Sequence, residues 1–178
     1  MKDKLALIGA EWSGSLIRAW AFDDEGETLA AHHVREDCVA GRWAERLTFQ
    51  LAEWLGAAPE VPVIACGAPG GPGQSTGGQL LTSPMPIVHL SGHITEHHGI
   101  HVVPWISQAS PPDLSCGAET VLFGLGDPNG AICIAGQHTR HCRTEHGRLT
   151  GFTTEITAEW RDLLLSHGTL ALETGEAQ

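Results

Sequence analysis

The sequence predicts an α/β protein in two lobes, the second one cut short, and three observations carry that expectation. Short apolar runs of strand length alternate with turn residues, and one stretch of helical periodicity lies where it can cross between strands. The strand-strand-strand-helix order that opens the chain also begins again after Asp127-Pro128-Asn129-Gly130.

Residues 5–10 are apolar or glycine and read as a buried strand, ended by Glu11 and a run of small residues that make a turn. Residues 16–22 form a second strand carrying Arg18 and Trp20, and the acidic turn at 23–27 leads into a third at 28–34, completing an antiparallel meander. Over residues 41–55, Trp43, Leu47, Leu51, Trp54 and Leu55 recur at three- and four-residue intervals, which predicts an amphipathic helix closed by Gly56. Residues 62–66 are the next buried strand. The stretch 67–78 holds six glycines and two prolines, so it is expected to be a long loop, either covering substrate or else disordered or merely connecting.

Two further strands are expected at 86–90 and 101–105, flanking a short helix at 93–98, and a helix over 117–125 precedes the break at 127–130. The lobe boundary is placed there, giving a first lobe of residues 1–126 and a second of residues 127–178. The second reads as strands at 131–135, 138–144 and 148–154, then a helix opened by Thr157, a good N-cap, with Trp160, Leu163, Leu164 and Leu170 at helical spacing. Because no further strand follows, a strand edge and an apolar helix face are expected to lack partners, which points to a homodimer.

The 178 residues include 21 acidic and 10 basic side chains, a formal charge of −11. Such a surface repels phosphate backbones, so nucleic acid is not an expected partner. The lysines are Lys2 and Lys4, at the N-terminus, so an anion held by the folded body must meet arginine, histidine, backbone amides or a metal ion. No apolar run approaches the roughly 20 residues that span a bilayer, and the N-terminus lacks a signal-peptide core, so the expected location is the cytoplasm. Five cysteines without a CxxC pair suggest reduced thiols rather than a disulfide framework.

Several residues allow two readings. Glu11 is a metal-side carboxylate or a solvated strand end. Glu119 is a proton acceptor or a first-turn residue favoured by the helix dipole. Arg18 contacts an anion, or covers Trp20 and pairs with an acid. His93 and His97, one helical turn apart in the expected 93–98 helix, could grip a metal ion, but no third ligand follows from the spacing. A histidine-based metal-binding module is therefore the remote reading.

In one set of segments the chain resembles the N-terminal part of the 2-dehydro-3-deoxygalactonokinase family, sugar-acid kinases of the actin/hexokinase-like superfamily. The opening Glu11-Trp12-Ser13-Gly14-Ser15, followed by Leu16-Ile17-Arg18-Ala19-Trp20, is similar to the family's Asp-Trp-Gly-Ser-Thr turn and Leu-Arg-Ala-Trp strand. Cys66-Gly67-Ala68-Pro69-Gly70-Gly71 resembles an Ala-Gly-Met-x-Gly-Ser loop, and Cys116-Gly117-Ala118-Glu119-Thr120-Val121 an Arg-Gly-Glu-Glu-Thr-Gln element. Ala135-Gly136-Gln137-His138-Thr139-Arg140-His141 resembles a Pro-Gly-Thr-His-x-Lys-Trp turn, and Thr157-Ala158-Glu159-Trp160 a Thr-Gly-Glu-Leu element.

The resemblance implies an actin-like/ribonuclease H-like mixed-sheet lobe and a truncated β-β-β-α start of a second lobe. It implies MgATP-dependent phosphorylation of a 2-keto-3-deoxy sugar acid in carbohydrate metabolism, with the sugar acid and the nucleotide as small-molecule partners. By the same resemblance Gly14, Ser15, Gly136, His138 and Arg140 would meet phosphate, Arg18, Gly67, Gly70 and Gly71 would meet the sugar acid, Glu119 would be the catalytic base and Glu11 would stand near Mg²⁺. The departures bear on chemistry: Glu11 stands for an aspartate, Gln137 for a threonine, Arg140 for a lysine and Ala118 for one glutamate of a pair, and the part of the second lobe that builds the family's adenosine pocket lies outside the sequence. Kinase activity of this chain alone is therefore expected to be weak or lost, and a catalytically inactive relative that binds a sugar acid or a partner chain is the alternative.

Overall fold

The computed structural model describes residues 5–36, 41–67 and 78–168. The first sheet has the order β3-β2-β1-β4-β8-β7, from β1 (Leu7–Ser13), β2 (Leu16–Phe22), β3 (Thr28–Arg35), β4 (Val63–Cys66), β7 (Thr95–His97) and β8 (Ile100–Val102). The meander β1-β2-β3 is antiparallel, whereas β1-β4 and β4-β8 pair in parallel, which makes the sheet mixed as expected. Period-two burial explains the packing: Ile8, Ala10 and Trp12 of β1 and Ile17, Ala19 and Ala21 of β2 all point to one face.

That face is covered by α1 (Trp43–Gln50) and α2 (Ala52–Ala57), the expected helix divided at Leu51. The spacing of Trp43, Leu47, Leu51 and Trp54 places all four against Ile8, Ile17, Val63 and Val102 in the first core. Trp43 is 1% exposed, so truncating it to alanine should cost about 3–5 kcal/mol.

A second sheet, β10-β9-β5, joins β5 (Leu80–Thr82), β9 (Trp105–Ala109) and β10 (Pro112–Ser115). A third, β11-β12-β13-β6, joins β6 (Met85–Pro86), β11 (Gly130–Ile134), β12 (His138–Glu145) and β13 (Arg148–Ile156). The second core lies between these sheets and α3 (Ala118–Gly124), and it unites Met85, Ile87, Ile106 and Leu122 with Cys142, Leu149 and Phe152. It thus draws on residues from both sides of position 127. Polar bridges fix the register. The Gln108 amide accepts from Phe152 N at 2.8 Å and donates to Phe152 O at 3.1 Å, and Asp113 Oδ2 accepts from Thr154 N at 2.7 Å. The last helix, α4 (Ala158–His167), buries no residue.

The segment around residues 85–98 departs from expectation. In place of a strand at 86–90 the chain forms a 3-10 helix, Ile87–His93, and in place of a helix at 93–98 it forms β7. Ile87 and Leu90 point into the second core at the three-residue period of a 3-10 turn, which an apolar run this short does not distinguish from a strand. His97 stacks on Trp43 and His93 Nδ1 bonds His89 O, so the helical basis for pairing His93 with His97 on a metal is gone. Among the described residues no group of three or more His, Cys, Asp or Glu side chains could hold a metal, and no helix is long and apolar enough to cross a membrane.

Candidate functional site

The β1–β2 turn and the β11–β12 turn, from separate sheets, face each other across a cleft of about 630 Å³. Glu11, Gly14 and Arg18 line it from one side and Gly136, His138 and Arg140 from the other. Gly67, at the end of β4, also lines it, whereas Ser15 is not among the lining residues and spends its carbonyl on Glu36 N. Gly70 and Gly71, with the rest of the expected 67–78 loop apart from its ends, lie outside the described residues.

Register explains the first wall. Antiparallel pairing sets Glu11 opposite Arg18, where facing side chains meet. Arg18 Nη2 lies 2.9 Å from Glu11 Oε2, so Arg18 pairs with an acid, as one of its two readings had it, and does so at the cleft. Gly67 is required by close approach: with φ +73, a Cβ there would lie 2.2 Å from Trp12 O. The turn at Gly14, φ +59, comes so near the opposite wall that a Cβ would meet Gln137 Oε1 at 2.5 Å. Ser13 Oγ donates to the same Gln137 Oε1 at 3.4 Å. Gln137 therefore spans the gap between the two turns.

On the second wall, alternate residues of a strand share a face, so His138 and Arg140 point together into the cleft while the next on that face, Cys142, enters the second core. Arg140 Nε is buried without a hydrogen-bond partner, and among the described residues no acid forms an ion pair with Arg140. His138 Nε2 donates to Glu159 Oε2 at 2.7 Å. Glu159 N also donates to Gln137 O at 3.3 Å, and Thr139 Oγ1 and Thr157 Oγ1 bond at 2.8 Å, so the first turn of α4 clamps the β11–β12 turn.

Glu119 lies beneath the floor made by Gly117 and Ala118 and does not itself line the cleft. It is 1% exposed; its carboxylate accepts from Gly117 N at 2.5 Å and from Ser115 Oγ at 3.0 Å. Burial pushes its carboxyl above the usual carboxylate range, against the opposing pull of these hydrogen bonds and of Arg140. Burial likewise pushes the Cys66 thiol up to about 12 and the Cys142 thiol up to about 11, so neither is a ready nucleophile. The described cysteines are free thiols.

Sequence reasoning missed Gln137 and Glu159 as cleft residues. Gln137 was visible only as a departure inside the second turn. Glu159 lies 21 residues from His138, and only the return of the β12–β13 hairpin brings the two together.

A family model described as 2-keto-3-deoxy-galactonokinase matches residues 11–178. A probable 2-dehydro-3-deoxygalactonokinase of Rhizobium meliloti (strain 1021) is 28% identical over 181 residues, covering 94% of this chain and 58% of the relative. The crystal structure of a protein assigned as a 2-dehydro-3-deoxygalactonokinase from Sinorhizobium meliloti superposes with a TM-score of 0.77 at 25% identity, over 97% of this chain and 60% of that one. The chain thus spans about three-fifths of the length of these relatives.

Proposed function

This chain belongs to the 2-keto-3-deoxy-galactonokinase family, and from that premise we propose that its cleft receives the phosphates of ATP and directs them toward a hydroxyl of a 2-keto-3-deoxy sugar acid. The observation that carries the reading is the unpartnered Arg140 guanidinium facing the glycine turn at Gly14 across the cleft. A planar fork of donors suits phosphate oxygens, and a glycine lets them reach backbone N–H groups. Arg18, Gly67, Gly70 and Gly71 are the proposed sugar-acid side, and Ser15, whose carbonyl accepts from Glu36 N, anchors the first turn.

The donor set fits magnesium in one respect. Glu11 offers a hard carboxylate at the cleft, one oxygen held by Arg18 and the other available, and Mg²⁺ bound mostly by water and phosphates needs only one or two carboxylates. When bound, the ion would neutralise charge on the phosphate oxygens. Arg140 supplies positive charge from the opposite wall, and Trp12 Nε1, which donates to Gly14 O at 3.0 Å, stiffens the turn that must not recoil.

A second reading, binding without transfer, is supported by the carboxylates. Glu119 is buried under the floor and does not line the cleft, and the two lining carboxylates among the described residues, Glu11 and Glu159, are already engaged by Arg18 and His138, so neither stands as an unpaired base for a hydroxyl. A coupled assay with MgATP and 2-dehydro-3-deoxygalactonate separates the two. Nucleotide binding with turnover well below the ordinary roughly 1–100 s⁻¹ supports the second reading; turnover in that range, lost in Glu119→Gln, would establish transfer with Glu119 as base.

The exposed apolar side chains of α4, Trp160, Leu163 and Leu164, support a homodimer joined through that helix.

A further inference from the structure

Gln137 reaches from the second turn to the first. Its amide end lies so close to Gly14 that a Cβ there would stand 2.5 Å from Oε1, 3.0 Å from Nε2 and 3.1 Å from Cδ. The atom set nearest the turn is thus the carbonyl oxygen, and Ser13 Oγ donates to it at 3.4 Å. An oxygen acceptor lying against a glycine turn and a hydroxyl donor occupies the place that a phosphate oxygen would take in this cleft. Gln137 lines the same cleft as Gly14, Gly136 and Arg140, so its amide and an entering phosphate compete for one space.

The amide is weakly held, and it can leave without the turn. A 3.4 Å hydrogen bond is at the long end of the range and correspondingly weak. The backbone of the turn is fixed by other contacts: Glu159 N donates to Gln137 O at 3.3 Å, and Thr139 Oγ1 bonds Thr157 Oγ1 at 2.8 Å. Between that backbone and the amide of the half-buried Gln137 lie the torsions of an unbranched side chain, so a rotamer change breaks the Ser13 contact and leaves the turn in place.

We propose that Gln137 is an internal competitor for the anion site: its carboxamide fills the space between the Gly14 and Gly136 turns, lowers the affinity of the cleft for a polyphosphate chain, and rotates out when one binds. This rests on the reading that the cleft takes phosphates. The proposal fixes the sign of an effect, because truncating this polar cleft residue should strengthen binding. A side chain that donated to the ligand, or one that held the two turns at their spacing, would weaken binding when truncated. A ligand that must wait for an open site loses affinity in proportion to the open fraction, and the net worth of one neutral hydrogen bond sets that loss at about two- to tenfold.

The test is calorimetric titration of the native chain, Q137A and Q137S with inorganic tripolyphosphate, free of magnesium, at pH 7.5, with an amide NMR spectrum of each variant to check the fold. Q137A is expected to bind about two- to tenfold more tightly than native, and binding by Q137A where native shows none also upholds the proposal. Affinity in Q137A equal to or below that of a native chain that binds overturns the competitor and leaves the phosphate reading standing. Absence of binding in native and variants alike sinks the phosphate reading, and the competitor with it. Should Q137A lose the native spectrum, Q137S is judged by the same outcomes; loss of the spectrum in both makes the amide a structural strut and overturns the proposal.

Discussion

Glu119 shows how far burial decides what a residue can do. The sequence offered it as a base or as a helix-start carboxylate, and it sits in the first turn of α3 with its oxygens turned back to Gly117 N and Ser115 Oγ. Its raised folded-state carboxyl pKa has a definite sign. The folded state holds the proton more tightly than the unfolded chain, so the stabilising contribution is complete below the ordinary glutamate value of about 4.3 and is lost as pH rises through the elevated folded value. E119Q keeps an acceptor for Gly117 N and removes the ionisation, so its stability relative to native should rise between pH 5 and pH 8. E119A strands a buried N–H and hydroxyl and should cost about 1–3 kcal/mol or more at either pH. Denaturant melts at the two pH values check this; a native advantage over E119Q that grows toward pH 8 would contradict it.

At the scale of elements, what could be read from the sequence was whatever had a strong period or a loud breaker. The meander, the helix carrying Trp43 to Trp54, the parallel strand at Val63–Cys66 and the three strands after residue 130 all stand within a few residues of expectation. Strands β5 and β10 were not anticipated. One is Leu80–Thr82, too short to show alternation, and the other begins at a proline and pairs on one side only, as a proline in a sheet must. The cleft residues divide along the same line. Gly14, Arg18, Gly136, His138 and Arg140 belong to local turns and strands, whereas the Glu159 contact exists only through tertiary folding. Helix α4 was visible by its apolar spacing, yet Trp160, Leu163 and Leu164 are 42–55% exposed, so its periodicity reports a face without a partner among the described residues. Its amides should exchange much faster than those of β1 and β2 in the dilute chain, with protection rising as concentration increases if this face joins two copies. Light scattering that reports a monomer across the same concentrations, with unchanged exchange, would count against the dimer.

On the scale of the whole molecule, two hydrophobic cores hold two turns in opposition. The first core fixes β1 and β2 and hence the Gly14 turn; the second fixes β12 and β13 and hence the Gly136 turn. The cleft between them is the proposed phosphate site, and Gln137, lying against Gly14, must shift for a phosphate to pass between the turns. The most direct measurement is a two-dimensional amide NMR titration of the chain with MgATP. Shifts concentrated at residues 13–15 and 136–140, abolished by Arg140→Ala in a variant that keeps the native spectrum elsewhere, are the predicted result. No shifts up to millimolar nucleotide, or shifts that persist unchanged in Arg140→Ala, would contradict it.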